Sequence, residues 1–332
     1  MTRGERRGRT GLFLRIAISI GLLGGLLWLL PWSEVREAIG SMPIPVWLAI
    51  LGLFLVGHRL GVAKWGLLLA AGGAPLARRD AIRCYAAGLF TNLCLPSIVG
   101  GDVLRAALAA RSTGRTEAAV LGGVADRLID VLTLGLCLAG GAFVSARLLP
   151  GRLPLAVAAV AVAGVLGLVV VVRLVASRPV RRWPRRVRRP LARSLVALRR
   201  LRRAPGTALL AAGLSLAIQA GFVLLNAWIG RSLGIEIPLS VWFVAWPLAK
   251  LVALMPISLG GLGVRDAAFG ALLVPLGVPL ARGVVASLVW QSILIGGGLL
   301  AGAAWLALGR GANEREPSGI AANPPVTPPS RA

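Results

Sequence analysis

The sequence is poor in the residues that build a metal site or a disulfide framework. It has one histidine, His58, and three cysteines, all inside apolar runs: Cys84, Cys94 and Cys137. An odd, scattered set of cysteines at such positions is neither a disulfide framework nor a metal motif. A lone histidine cannot build a histidine-based metal site. No metal and no other cofactor is therefore expected.

Charged residues are also scarce, and this excludes an ordinary soluble domain. They make up 15% of the chain, against 57% hydrophobic residues, and the mean hydropathy is +0.80. Soluble domains are about 25% charged. Between the charge clusters lie apolar runs long enough to cross a bilayer, which takes about 20 residues per helix. The sequence therefore predicts an all-α, polytopic integral membrane protein.

Acidic residues are few compared with basic ones. The sequence has 12 Asp and Glu and 37 Lys and Arg, which gives a net charge of +25. The arginines lie at the ends of apolar segments and in one long loop, 177–206. Such arginines set orientation by the positive-inside rule, so nucleic acid is not an expected partner. Leucines at helical spacing in this loop suggest an amphipathic helix on the inner leaflet, at Leu191, Leu195, Leu198 and Leu201. The loop then either only sets topology or also binds anionic lipid head groups.

The apolar runs predict six full spans. They lie at about residues 16–30, 46–70, 118–146, 155–175, 207–230 and 282–308. The first resembles a signal peptide, but no small-residue cleavage site follows, so we interpret it as an uncleaved helix. Residues 1–15 form a basic cytoplasmic N-terminus, and the Pro-rich, polar residues 309–332 a disordered cytoplasmic tail. The protein is thus expected in the cell (inner or plasma) membrane with both termini inside.

Two further apolar segments, about 84–104 and 242–263, contain helix-breaking residues and share a motif. Residues 95–105 read LPSIVGGDVLR and residues 255–265 read MPISLGGLGVR, so each has Pro, three residues, Gly-Gly, three residues and Arg. Basic residues flank the first segment on both sides, which predicts a re-entrant hairpin that opens to the inside. The topology opens the second hairpin to the outside. About eight hydrophobic segments thus form an inverted repeat, a plan common in transporters.

Interrupted segments at matching positions point to a substrate site. Charges within apolar runs usually face a cavity or a partner, and Lys64 and Lys250 belong to this group with several Asp and Arg. The candidate substrate-binding residues are Asn92, Pro96, Gly100, Gly101, Asp102, Arg105, Asp126, Arg127, Pro256, Gly260, Gly261, Arg265 and Asp266. Arg105 and Arg265 are placed to contact a lipid phosphate, or only to snorkel to the interface. Asp126 and Arg127 are predicted to pair with Asp102 or Arg105, either as a structural lock or for substrate or proton coupling.

These residues resemble a known family. The resemblance is carried by Gly88, Phe90, Asn92, Leu95-Pro96, Gly100-Gly101-Asp102, Arg105, Asp126-Arg127, Pro256-Ile257-Ser258, Gly260, Gly263 and Val264-Arg265-Asp266. They are similar to the flippase-like transmembrane family related to the N-terminal membrane region of bacterial lysylphosphatidylglycerol synthases, over roughly residues 10–308. Members of this family often have Glu after the arginine of the second motif, whereas this sequence has Asp266. The resemblance implies movement of a modified lipid between leaflets, with aminoacyl transfer by a separate soluble domain. Because this sequence contains no such domain, no enzyme activity is expected.

The leading hypothesis is a lipid flippase that moves an amphipath with an anionic head, a phospholipid or a polyprenyl-linked glycolipid. The alternative is an accessory or intramembrane enzyme subunit of a cell-envelope glycolipid pathway, with Asp102 or Asp126 as a base. A scaffold is the third possibility. The expected partners are membrane lipids and a separate lipid-modifying transferase, and no oligomeric state is predicted. A catalytic nucleophile–base pair and a phosphate-binding loop after a strand are both missing from the sequence.

Overall fold

The computed structural model describes residues 40–94, 100–146, 203–253 and 263–313, with a few isolated positions elsewhere. Within these ranges the chain forms eight α-helices and one short 3₁₀ turn, and no strand occurs among them. The helices are α1 (Ile44–Gly72), α2 (Arg78–Cys94), α3 (Gly100–Thr113), α4 (Thr116–Val144), α5 (Pro205–Ser232), α6 (Leu239–Ala253), α7 (Val264–Leu273) and α8 (Leu280–Asn313). The turn is Val274–Leu276.

Four helices are long and apolar enough to cross a membrane: α1, α4, α5 and the Leu280–Gly309 part of α8. They match four of the six predicted spans to within two residues at each end. The predicted spans at 16–30 and 155–175 and the loop 177–206 lie outside the described residues, apart from isolated positions. The described part of the chain thus confirms a helical membrane protein, and the count of six spans stays a prediction.

The end of α8 corrects one boundary. Residues 309–313 were predicted to begin the disordered tail, but they continue the helix to Asn313. The physical reason is local, because residues 309–316 contain no proline that would remove a backbone donor. Arg79 of α2 also donates to the carbonyl of Leu308 at 3.3 Å, which ties this end of α8 to the start of α2.

Helices α2 and α3 form the first broken segment, hairpin 1. They run antiparallel, because Gly88 lies against Gly101 near the break while Ala81 and Ala109 share one buried cluster at the other end. At about 26 and 21 Å, the two helices are each shorter than the roughly 30 Å hydrocarbon core. The break itself, residues 95–99, lies outside the described residues.

Helices α6 and α7 form the second broken segment, hairpin 2. Phe269 of α7 packs against Trp242 and Trp246 of α6, with ring centroids 5.8 and 5.7 Å apart. Arg265, four residues earlier on α7, lies over the Trp246 ring. The helices are therefore antiparallel, as in hairpin 1. Residues 254–262, which carry most of the motif, lie outside the described residues.

The hairpins open at opposite ends of the bundle. Helices α1 and α5 are antiparallel, since Gly57 lies against Phe222 while Lys64 and Ser215 both reach Asp130. Hairpin 1 opens where α1 ends and α4 begins, because Leu69 and Ala119 belong to its buried cluster. Hairpin 2 opens where α5 ends and α8 begins, because Gly270 of α7 lies against Leu280 and Gly283 and because Arg282 reaches the Gly234 carbonyl.

The described helices divide into two halves, α1–α4 and α5–α8. The contacts between helices are the same when each helix of one half is replaced by its equivalent in the other. Hairpin 1 packs through α2 on α8 and through α3 on α4, and hairpin 2 packs through α6 on α4 and through α7 on α8. Helix α1 packs on α4 and α5 on α8, while α1 and α5 pack on each other. Each broken segment is thus held between a long helix of its own half and one of the other half.

Candidate functional site

Six charged side chains from three helices meet inside the bundle, and we call them the polar cluster: Lys64, Asp102, Arg105, Asp126, Arg127 and Asp130. Arg105 donates to Asp126 at 2.9 Å and lies 3.3 Å from Asp102. Arg127 donates to both carboxylate oxygens of Asp102, each at 2.6 Å. Lys64 bridges Asp126, at 3.0 Å, and Asp130. The predicted pairing of the α4 charges with Asp102 and Arg105 is confirmed.

The helical repeat explains how α4 presents these groups. Asp126 and Asp130 are four residues apart and so lie on one face, where a single ammonium from α1 reaches both. Arg127 lies one residue on, about 100° around the helix, and points toward Asp102 on α3. One turn of α4 therefore bonds to α1 and to hairpin 1 at once.

Arg105 is enclosed rather than exposed. Its side chain is 4% exposed, and its guanidinium carbon lies 4.7 Å from the Trp65 ring centroid and 4.9 Å from that of Tyr85. Aromatic faces attract a guanidinium, and two carboxylates neutralise it. This arginine holds α3 against α1, α2 and α4, and the structure shows no snorkelling to an interface.

Asn92 and two glycines shape hairpin 1 beside its break. The Asn92 carboxamide oxygen accepts a hydrogen bond from the backbone N–H of Gly101 at 3.0 Å, one of the donors left unpaired at the start of α3. A Cβ atom on Gly88 would lie 2.8 Å from the Gly101 carbonyl oxygen. Only glycine permits this approach between α2 and α3. Gly100 begins α3 and is partly buried.

Hairpin 2 carries a separate buried group around Arg265 and Asp266. Arg265 donates to Asp266 at 2.8 Å and to the Gln291 side-chain oxygen on α8 at 3.0 Å. Ser287 of α8 donates to Asp266 at 2.6 Å, and the other oxygen of Asp266 accepts from the Gly263 N–H at 3.0 Å. Arg265 thus ties α7 to α8, as Arg105 ties α3 to α4. Its hydrogen bonds within the described ranges do not reach the polar cluster.

Three neutral residues that the sequence analysis did not single out extend the polar cluster toward hairpin 2. Ser215 of α5 donates to Asp130 at 2.6 Å and shares a hydrogen bond of 2.9 Å with Thr133. Gln219, one turn further on α5, accepts from Lys250 of α6 at 2.9 Å. A search for polar residues at helical spacing within apolar runs would have found Ser215 and Gln219.

The charges of this extended set do not cancel. Lys64, Arg105, Arg127 and Lys250 supply four positive charges and Asp102, Asp126 and Asp130 three negative ones, which leaves one excess positive charge. The excess lies toward Lys250, since no carboxylate of the described ranges is within ion-pair distance of it. Its amino group is bonded only to the neutral Gln219 amide there.

Arg127 has the most exposed side chain of the polar cluster. Its side chain is 49% exposed, against 3% for Lys64 and for Asp126. It lies eleven residues after the first residue of the 29-residue helix α4, about 17 Å along the axis. Charged side chains at such depth face the bundle interior or a water-filled cavity. Four other predicted site residues, Pro96, Pro256, Gly260 and Gly261, lie outside the described residues.

Together these features define a class: a multi-pass helical membrane protein in which two broken hairpins flank an interior charged cluster. The chain matches the family described as the lysylphosphatidylglycerol synthase TM region over residues 12–302, and it belongs to that family. The family places the chain among membrane proteins of lipid-related processes. A search of curated proteins and a search of solved structures found no match.

Proposed function

We propose that this protein moves an amphipath with an anionic head group between the leaflets, either a phospholipid or a polyprenyl-linked glycolipid. The observation that carries the proposal is Arg127, half-exposed deep along an apolar helix and bonded to a hairpin. A lipid-facing arginine at that depth is strongly disfavoured, so a water-filled crevice beside α4 is the better environment. Such a crevice is the path that a polar head group needs.

The arrangement of the halves supports a transport mechanism. The equivalent helices α1 and α5 run antiparallel, and the hairpins open at opposite ends of the bundle. We therefore infer an inverted repeat with two re-entrant hairpins, in which substrate sites lie near the midplane between the repeats. Membership of the family adds the link to lipids.

The head group contacts are best assigned to Arg127 and Lys250. Arg127 is open, and Lys250 carries the charge for which the described residues offer no carboxylate. Arg105 and Arg265 are buried, and each is bonded to a carboxylate, so their main role is to hold the hairpin arms. Pro96, Pro256, Gly260 and Gly261 belong to the same proposal, because helix-breaking residues at matching positions in the two halves of a transporter point to its substrate site.

The remaining assignments belong to the same proposal. The protein lies in the cell membrane with both termini in the cytoplasm, transports without a covalent step, and receives its lipid from a separate lipid-modifying transferase. The basic flanks of the spans support this orientation.

The test is translocation of labelled lipid in vesicles that contain the purified protein. Labelled phosphatidylglycerol, an anionic lipid, is compared with labelled phosphatidylcholine, which is zwitterionic. The variants are Arg127→Gln and Lys250→Gln, and Arg231→Gln, an exposed arginine at the end of α5, is the matched control. We expect faster exchange of the anionic lipid with wild type and the control, and at least a tenfold loss with either test variant. Wild type no faster than protein-free vesicles with either phosphatidylglycerol or a labelled polyprenyl-linked glycolipid, or full activity in both variants, contradicts the proposal.

A further inference from the structure

A second arginine lies deep along an apolar helix, but outside the polar cluster. Arg59 is the sixteenth of the 29 residues of α1, and its side chain is exposed. Its neighbours on the same face are apolar and exposed, with Leu48 at 55% and Val56 at 54%. No hydrogen bond or ion pair joins Arg59 to any residue in the described ranges. One face of α1 thus presents a lone positive charge among exposed apolar side chains.

Arg59 does not share the crevice proposed beside α4. Lys64, which points into the polar cluster, lies five positions further along α1, and this spacing turns the side chain about 140° around the helix. The opposite face of α1 carries Ile50, Phe54 and Trp65, all at most 1% exposed. Arg59 therefore points away from the bundle interior.

The chain offers Arg59 no carboxylate at this depth. The predicted spans at 16–30 and 155–175, which lie outside the described residues, contain no Asp and no Glu. The acidic residues of hairpins and spans, Asp102, Asp126, Asp130 and Asp266, are bonded elsewhere. A charge within the hydrocarbon region pairs with a partner or faces water. An anion that pairs with Arg59 would therefore come from outside the chain.

We infer that the Arg59 face of α1 docks a transmembrane helix of a second membrane protein, and that this helix carries an Asp or Glu at the same depth. Charge complementarity selects this occupant. A second copy docked by the same face would bring two Arg59 side chains together, and lipid phosphates lie at the interface rather than within the hydrocarbon. Gly52 and Ala63 lie on the same exposed face, and small residues let helix backbones approach closely.

The test places a photoreactive residue at Val56, on this face, in the full chain expressed in its native membrane. A probe at Leu299 of α8, 56% exposed, is the control on another outward face. We expect an adduct with one other membrane protein from Val56 and none from Leu299. The adduct should persist in Arg59→Lys and fall at least tenfold in Arg59→Leu. Exchange of the charges, Arg59→Asp with Arg at the partner's acidic position, should restore it.

The contrary outcomes are distinct. An adduct of twice the chain mass would identify a second copy, and a gain of one phospholipid mass would identify a lipid site. A missing adduct, or one that survives in Arg59→Leu, would also overturn the inference. A second arm uses the purified chain alone in phosphatidylglycerol–phosphatidylcholine vesicles, where Arg59→Leu should leave the melting temperature unchanged or higher. A lower melting temperature would reveal a partner within the chain or lipid and would likewise overturn it.

Discussion

The guanidinium of Arg105 lies 2.9 Å from the carboxylate of Asp126, and the two side chains are almost completely buried. This bond joins hairpin 1 to the long helix that follows it. In the other half, Arg265 joins hairpin 2 to α8 through Gln291 and the Ser287 carbonyl. The two arginines at equal places in the sequence motif thus have equal structural roles, although their partners differ.

The first prediction concerns the stability of the Arg105–Asp126 pair. Each side chain has a second counter-ion, Asp102 for Arg105 and Lys64 for Asp126, but removal of either partner still breaks a buried ion pair, which typically costs about 3–5 kcal/mol. Arg105→Ala and Asp126→Ala should each lower the detergent melting temperature strongly, while Arg111→Ala, exposed at the end of α3, should not. The double variant Arg105→Met with Asp126→Leu should recover part of the loss. Single variants as stable as the control would show that the pair adds little to the fold.

The second prediction concerns the contact between Gly88 and Gly101. A Cβ atom on Gly101 would collide with the Gly88 carbonyl oxygen and with the Asn92 side chain. Gly101→Ala should therefore separate α2 from α3 and reduce the monodisperse fraction in size-exclusion chromatography. Gly123→Ala in α4 is the matched control, because no atom lies within 4 Å of a Cβ there. Equal behaviour of the two variants would mean that hairpin 1 tolerates a wider spacing.

The third prediction separates charge from geometry at the motif arginines. Arg105→Lys and Arg265→Lys keep the charge but lose the planar fork that bonds several acceptors at once. We expect both variants to insert and fold, and to slow leaflet exchange of labelled lipid. The alanine variants should slow it further and should also unfold at lower temperature, because both sites are buried. Full exchange in folded alanine variants would leave these arginines without a role in transport.

Hydropathy predicted the four long helices, and motif spacing predicted the breaks in the two interrupted segments. Both features depend on residues that are close together in the sequence. Spacing along one helix does not reveal which side chains arrive from distant helices. The aromatic enclosure of Arg105 by Trp65 and Tyr85 was therefore not predictable, nor were the links from Ser215 to Asp130 and from Lys250 to Gln219.

The fourth prediction tests the membrane orientation of hairpin 1. Single cysteines at Arg83 and Arg111 should react from the same side of sealed vesicles, because α2 and α3 are antiparallel and their outer ends share a cluster. A cysteine at Arg231, at the far end of α5, should react from the opposite side. The native Cys84 and Cys137 are buried and give a low background, and Cys94 is replaced by Ser in every labelling variant. Labelling of the Arg83 and Arg111 positions from opposite sides would exclude a re-entrant hairpin.

The last prediction compares the two lysines, which have opposite surroundings. Lys64 is shared by Asp126 and Asp130, so Lys64→Met removes the cation that joins these two carboxylates and leaves them to Arg105 and Arg127, at a cost of about 3–5 kcal/mol. Lys250 is bonded to a neutral amide, so Lys250→Met loses one hydrogen bond of about 1 kcal/mol and removes a charge that has no carboxylate beside it in the described ranges. We therefore expect Lys64→Met to lower the melting temperature sharply and Lys250→Met to leave it nearly unchanged.

Transport should respond differently, since the excess positive charge is what attracts an anionic head group. Lys250→Met should abolish exchange of labelled phosphatidylglycerol in a stable protein, which a purely structural lysine would not do. If Lys250→Met transports normally, or if it unfolds as readily as Lys64→Met, Lys250 is not the head group contact.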